Sequence, residues 1–453
     1  MYRGEMEDIK SIINSVRWNE IRDEAVEILR ALIRIDTTNP PGNERPAAEY
    51  LKKYFSDYEI DSYIVESEQS RASIIADLEN GRKEKPLILL SHLDVVPADP
   101  KQWSVHPFSA EVKNGYIWGR GTIDCKGLAV VEAVAMTLVK RLKIPLRRPV
   151  KFISVADEEM GGEKGAGYIV REENIDGYCV INEGGTGAIL GDKKVYLPCF
   201  GEKGPIWLKI KAKGRSGHAS MPIEDNPNLI LLRALYKITS SGLGKKFVEN
   251  FVRSVKFYLA KDIKPLEPVL SIVEKSEFLK TTIGNILYNI LKRKPKLAAM
   301  LSNTVSVTMI KSGYKENVIP EEAEAILDIR ILPGYDYYEV VEKLKKIVND
   351  QRVSFEIISA YEPSESDPSS DVLKKIKDSV KLVYDYPFVP IISTGFTDSR
   401  FFRKKGIQSF GLLPFFLTEE EISTMHGVDE RISIENMEIG TKLMLSTILN
   451  LCL

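Results

Sequence analysis

At 453 residues the chain is longer than one ordinary hydrophobic core, so two domains are expected. With 43% hydrophobic and 28% charged residues it has the composition of a soluble globular protein, and a net charge of −1 supplies no overall field for nucleic acid or an anionic membrane. No stretch approaches the roughly 20 apolar residues of a membrane span, and the opening MYRGEMEDIK has no apolar signal segment, so cytoplasmic residence is the expectation.

Up to about Pro198 helical and strand patterns alternate. Asn19–Ile35 reads as an amphipathic helix ended by the turn-rich DTTNPPGNE, and Pro46–Phe55 as another that opens on a tolerated proline. The apolar runs PLILLSHLD, RPVKFISVAD and GYCVINE read as buried strands of a mixed sheet, with a helix over Lys126–Leu142 between the first two. From about Phe200 the pattern becomes strand GPIWLKIKAKG, helix NPNLILLRALYKI, strands TVSVTMIKSGY and EAEAILDIRIL, helix YYEVVEKLKKIV and strand RVSFEIIS. That β-α-β-β-α-β order is the ferredoxin-like plan, interrupted over 242–303 by a helical insert whose FLKTTIGNILYNILKRKPKLAAML reads as a core or dimer-contact helix, since Lys and Arg break its apolar run. After about Ser359 the chain returns to the first domain and ends in a helix over Ile434–Asn450. The expected fold is therefore α/β, with a mixed-sheet catalytic domain (1–199 and 360–453) and an inserted ferredoxin-like α+β lid or dimerisation domain (200–359).

The chain has only four histidines, and one of them, His92, forms a His-x-Asp step at the end of a strand. Residues two apart on a strand point to the same side, so Asp94 is expected behind the His92 ring, accepting its second N–H and fixing its tautomer. In GRGTIDCKG, Asp124 offers two oxygens that can bridge cations about 3.5–4 Å apart. Glu158 and Glu159 end the next strand, where neighbours face opposite ways, so that one can bind metal while the other moves protons. Any one of these residues taken alone reads as surface or structural. Together they form the donor set of a two-metal hydrolase, because packing gives no reason to bury so many ionisable groups. His106 reads as a loop residue, and the basic run Arg403, Lys404, Lys405 as a solvated face. Cys125, Cys179, Cys199 and Cys452 show no paired spacing and read as reduced thiols. Cys125 reads as a small buried thiol rather than a ligand.

The order His-x-Asp, GRGTxDxKG, a Glu pair, the acidic residue of VINEGG and the late MHGVDERI resembles the zinc metallopeptidase family of glutamate carboxypeptidase, succinyl-diaminopimelate desuccinylase, acetylornithine deacetylase and aminoacylase. WxxxPF at Trp103–Phe108, GYIWGRGT and the enlarged middle region resemble its carboxypeptidase S and N-acyl-amino-acid hydrolase branch. The resemblance implies that His92 and Glu183 hold one divalent ion, Glu159 and His426 a second, and Asp124 bridges them. Zinc suits such a set, with cobalt or manganese able to take its place. It also implies Glu158 as general base, His218 of GRSGHAS as an oxyanion donor to a partner subunit's site in a homodimer, Asn317 near the reacting carbonyl, and Arg330 on the substrate carboxylate. STGFTDSRF resembles a Gly-Gly-Thr-Asp loop whose amides, around Gly395 and Thr397, bind the same carboxylate; Phe396 replaces the second glycine. The implied activity is cleavage of the amide bond of a C-terminal amino acid in a dipeptide or short peptide, or alternatively deacylation of N-acyl amino acids. A non-catalytic metal-binding protein is the remaining alternative, disfavoured by the presence of Glu158.

Overall fold

The computed structural model describes residues 3–79, 81, 84–190, 193–244 and 295–453. The chain divides into two compact units, Met1–Phe200 with Ser366–Ile391 and Thr397–Leu453, and Gly201–Glu365 with Ile392–Phe396. Among the described residues no helix is long and apolar enough to cross a membrane.

The first unit is built on a twisted mixed sheet. Its strands run in the spatial order Asp61–Glu68, Arg71–Leu78, Val150–Val155, Leu87–His92, Cys179–Leu190 and Ser409–Leu417, and the first three neighbours pair antiparallel. The last four strands are parallel. They are apolar without alternation because both faces are covered. On one side Ile88, Leu90, Ile153 and Val180 pack with Ala166 and Ile169 of the helix Ala166–Glu172 and with Phe402. On the other, the helices Trp18–Arg34, Lys126–Arg141 and Ile434–Cys452 contact one another. Lys126–Arg141 is buried from Lys126 to Val139, which its sequence allows because Ala and Val dominate it. The buried Lys126 ammonium is satisfied by the carbonyls of Leu32 and Ile35, at 3.0 and 2.8 Å, at the end of the Trp18 helix.

Register delivers the chemistry to one edge of this sheet. His92 lies opposite Val155, so the residues that follow each strand emerge side by side at the carboxyl ends, where α/β sites form. The Glu pair is not on the strand itself: the strand stops at Val155, Asp157 takes a left-handed φ of 72°, and Glu158–Met160 form one 3-10 turn. A small sheet pairs Arg431–Ser433 with Tyr116–Trp118, laying the segment after His426 against the GRGTID loop.

The second unit is a four-stranded antiparallel sheet in the order Thr304–Ser312, Glu322–Ile331, Gly204–Lys213, Val353–Ala360, the ferredoxin-like arrangement. Strict alternation puts Ile206, Leu208, Ile210, Leu327 and Ile329 into its core beneath the helices Pro227–Ser240 and Tyr337–Val348. Lys211 and Glu322 pair at 3.0 Å on the opposite face. Asn226 and Asp336 cap the two helices by accepting the Asn228 and Glu339 amides, a contribution of about 1 kcal/mol each. Of the expected insert, only the helix Pro295–Leu301 and its flanks fall within the described residues. Arg403 departs from the solvated face expected of it: its guanidinium donates to the Ser409 carbonyl at 2.8 Å and is half-buried.

Candidate metal centre

Two groups of side chains share one carboxylate. Asp124 Oδ1 lies 3.0 Å from His92 Nε2, and Asp124 Oδ2 lies 3.0 Å from His426 Nε2. Glu183 Oε1 stands 3.7 Å from His92 Nε2, and Glu159 Oε1 3.2 Å from His426 Nε2. In each group, His92–Asp124–Cys125–Glu183 and Asp124–Glu159–His426, one donor atom per residue lies within 4.8 Å of the others. A carboxylate with one oxygen in each group can bridge two cations. The donor set fits divalent ions: the carboxylates of Asp124, Glu159 and Glu183 crowd against one another around two imidazoles, an arrangement of like charges that cations would relieve.

The electrostatics of the metal-free cluster follow from that crowding. Burial opposes charge on His92, but Cys125, Glu183, Asp124 and Asp94 outweigh it and raise its pKa well above the ordinary imidazole value. His426 donates to the carboxylates of Asp124 first and Glu159 second, and these hydrogen bonds push its pKa up to about 10. Asp124 is held far below the usual carboxylate range, since its hydrogen bonds to His426 and His92 overcome burial. Glu158 and Glu183 move the other way, raised by burial first, then by each other's neighbours: Glu183 acts on Glu158, and Asp124 on Glu183. A buried carboxyl with a raised pKa has the chemistry to take up a proton and later return it. Cys125 is buried, and burial raises its thiol.

A supporting layer holds the ligands. Asp94 lies beyond the strand end with its carboxylate behind the His92 ring, 3.4 Å from Nδ1, and its backbone carbonyl is 3.0 Å from the same nitrogen. That carboxylate also accepts the amides of Glu158 and Glu159, both at 3.1 Å, and the Asn39 side chain at 2.8 Å. Glu430, which the MHGVDERI motif contains but does not single out, accepts the amides of Gly121, Ile123 and Asp124 at 3.1, 2.8 and 3.1 Å, and pairs with Arg120 at 2.7 Å. Asp398, inside STGFTDSRF, is a second residue the motifs did not mark. It is buried, neither oxygen has a hydrogen-bond partner, and burial pushes its pKa up to about 7. His426 and Asp157 have positive φ, of 57° and 72°, a conformation that non-glycine residues hold only where the surroundings impose it.

The remaining candidates divide between the units. Thr397 belongs to the first, where its hydroxyl accepts the Ser399 amide at 3.2 Å. His218, Asn317, Arg330 and Gly395 belong to the second. A two-residue ladder pairs His218 with Val318, and the Asn317 carbonyl accepts the Ala219 amide at 3.0 Å, so His218 and Asn317 are brought together. His218 is exposed, and its Nδ1 accepts the Ser220 amide at 3.2 Å, which leaves the ring proton on Nε2. Arg330 is half-buried rather than solvated, and its Nε and Nη2 pair with Asp328 at 2.7 and 2.9 Å. Phe396 stacks on Tyr361 at 5.4 Å and lies 5.9 Å from the Arg330 guanidinium. The Gly395 amide donates to Ser393 Oγ at 3.2 Å. His106 is exposed.

Residues 88–450 match the sequence family described as peptidase family M20/M25/M40. The chain is 30% identical over 447 residues to N-fatty-acyl-amino acid synthase/hydrolase of Homo sapiens, covering 94% of this chain and 87% of that protein. It is 30% identical over 385 residues to probable carboxypeptidase S-like 2 of Dictyostelium discoideum, covering 78% and 69%. An M20 family metallo-carboxypeptidase from Sulfolobus solfataricus has a similar fold, with a TM-score of 0.72 at 23% identity over 94% of this chain and 98% of that one.

Proposed function

The chain belongs to peptidase family M20/M25/M40 and is a metal-dependent hydrolase, and from that premise we propose that it holds two zinc ions and frees a C-terminal amino acid by hydrolysing the amide on its nitrogen. The observation that carries this reading is Asp124, with one oxygen facing His92 and the other His426. His92, Glu183 and Asp124 would hold one ion, and Asp124, Glu159 and His426 the other. Bound there, divalent ions polarise the carbonyl and lower the pKa of water toward neutrality.

The residues then divide the work. Glu158 takes the proton of the attacking water and returns it to the leaving amine. Asp94 fixes the amides of Glu158 and Glu159, and hence the spacing between base and ligand. His218, protonated on Nε2, donates to the oxyanion of a partner subunit's substrate, Asn317 sits near its carbonyl, and Arg330, Gly395 and Thr397 receive its carboxylate. The leaving group is a free amino acid. The acyl half is an amino acid or short peptide in the carboxypeptidase and dipeptidase reading, or a fatty or short acyl group in the deacylase reading, which the human relative's name favours.

A homodimer is supported by the second unit. Among the described residues Thr304–Ser312 is an edge strand, with Val307, Met309 and Ile310 exposed, and the helix Pro227–Ser240 exposes Leu229, Leu232 and Tyr236. An open edge beside such an apolar face is a surface that a second copy would cover. Four buried free cysteines support a reducing, cytoplasmic setting.

The test is amino-acid release from dipeptides and from N-acetyl, N-succinyl and long-chain N-acyl amino acids, with added zinc, cobalt or manganese and with chelator. Chelator-sensitive release is expected, and the preferred acyl half separates the two readings. No release from a protein carrying two metals per chain would overturn the proposal.

A further inference from the structure

Arg71 opens the strand Arg71–Leu78, is 6% exposed, and has a partner on every guanidinium nitrogen. Nε and Nη2 donate to the two oxygens of Glu44 at 3.0 and 2.8 Å. Nη2 also faces Asp157 Oδ1 at 3.1 Å, and Nη1 donates to Asn39 Oδ1 and to the Pro41 carbonyl, both at 3.3 Å. Gly42, at φ +85°, packs so closely that a Cβ there would stand 2.5 Å from the guanidinium carbon. The group is enclosed.

From Arg71 two arms reach the same turn. One is direct, because Asp157 immediately precedes Glu158. The other passes through Asn39, whose Nδ2 donates to Asp94 Oδ2 at 2.8 Å, and through the Asp94 carboxylate, which accepts the Glu158 and Glu159 amides. Arg71, Asn39, Asp94, the turn and Asp157 thus close a ring of buried polar contacts around the backbone of the two glutamates. A guanidinium is suited to this position because its planar fork holds one carboxylate with two bonds while reaching three further acceptors at fixed angles; an ammonium cannot. Left to itself, a single 3-10 turn has little to hold its carboxylates in place.

We propose that Arg71 is a positioning residue for the hydrolysis: it clamps the Glu158–Glu159 turn from two sides, through Asp157 and through Asn39 and Asp94, and so sets the placement of the general base relative to the metal ligands. The inference rests on the assignment of Glu158 as base and Glu159 as ligand. Every Arg71 nitrogen is occupied by a protein acceptor and the side chain is buried, so its loss is expected to act on turnover rather than on substrate affinity.

The experiment compares Arg71→Met, Arg71→Lys, Asn39→Ala and Glu158→Gln in the metal-loaded protein, with kcat and KM referred to the folded fraction from thermal melts. Cobalt-loaded samples report the ligand geometry through their visible spectra. Misplacement of reacting groups by about 1 Å costs on the order of 100-fold. Arg71→Met is therefore expected to lower kcat at least tenfold with KM within threefold of wild type, and to alter the cobalt spectrum. Arg71→Lys should not restore either. Asn39→Ala cuts one arm only and should lower kcat severalfold; it decides the matter if Arg71→Met does not fold. Wild-type kcat per folded molecule in Asn39→Ala beside an inactive Glu158→Gln overturns this inference alone. Wild-type activity in Glu158→Gln overturns the general-base reading and this inference with it.

Discussion

Glu430 holds Asp124 by its backbone. Its Oε1 accepts the Asp124 amide at 3.1 Å while its other oxygen binds the Arg120 guanidinium at 2.7 Å, and both side chains are buried. In Glu430→Gln an amide NH2 must face either a guanidinium or the backbone N–H groups it replaces as partner. Removing one member of a buried pair costs about 3–5 kcal/mol. The variant should lose stability on that scale in urea denaturation and bind its metals at least tenfold more weakly by chelator competition. Unchanged metal affinity would separate Glu430 from the placement of Asp124.

His218 should act in the transition state only. Loss of one oxyanion donor lowers kcat by about 10²–10³, so His218→Ala is expected to fall in that range with little change in KM. Ser220→Ala leaves the Ser220 amide on Nδ1 and should have a much smaller effect. A His218→Ala enzyme with wild-type kcat would remove His218 from the chemistry.

The metal-free chain should become less stable as pH rises from about 4.5 to 7. Glu158 and Glu183 are raised well above the ordinary carboxylate value, and Glu44 and Asp398 to about 7, burial being the first cause in each case. A carboxyl whose folded pKa is raised binds more protons folded than unfolded across that window, so stability falls with pH. Asp124 and Asp94, which are lowered, act below that window. Lys126 and Lys203, lowered to about 7, act above it. Chemical denaturation of chelator-treated protein at pH 5 and 7 measures the slope, and added zinc should stabilise more at pH 7, where it meets ionised ligands. Equal stability at both pH values would contradict the burial of these groups.

The exposed face of the second unit should carry the dimer. Light scattering on the wild type is expected to give twice the chain mass, and Leu232→Asp with Ile310→Asp should halve it. If His218 serves the partner's substrate, the same double variant loses turnover along with its partner. A wild-type monomer with full activity would remove both ideas at once.

Periodicity made most of the secondary structure legible. The helix Tyr337–Val348 buries Val340, Val341, Leu344 and Val348 on one stripe, and the strand Glu322–Ile331 alternates strictly, because each covers a core on one side only. The candidate ligands were legible for a chemical reason: histidines and paired acids at strand ends are seldom buried without a use. Arg71 and Glu430 carried no such mark. Glu430 acts by accepting backbone amides some three hundred residues earlier in the chain, and Arg71 reaches back to Asn39 and forward to Asp157, contacts for which local spacing holds no trace. Nothing in VADEE signals that Asp157 turns left-handed, so the sequence pattern carries the strand on to the Glu pair; the Asp157 contact with Arg71 and the Gly162 amide on its carbonyl accompany that turn.

His92, Asp124, Glu159 and Glu183 all precede the second unit in the chain, whereas His426 and Glu430 follow it. During synthesis at about 5–20 residues per second, the first four therefore wait tens of seconds for the imidazole and the buried carboxylate that complete their surroundings. Through that interval the candidate ligand set consists of crowded acids and one histidine, His92, a weak and unselective cation site. With the ligands assigned as proposed, loading of both ions would follow translation of the entire second unit, and a chain stalled within that unit would lack His426 for the second ion.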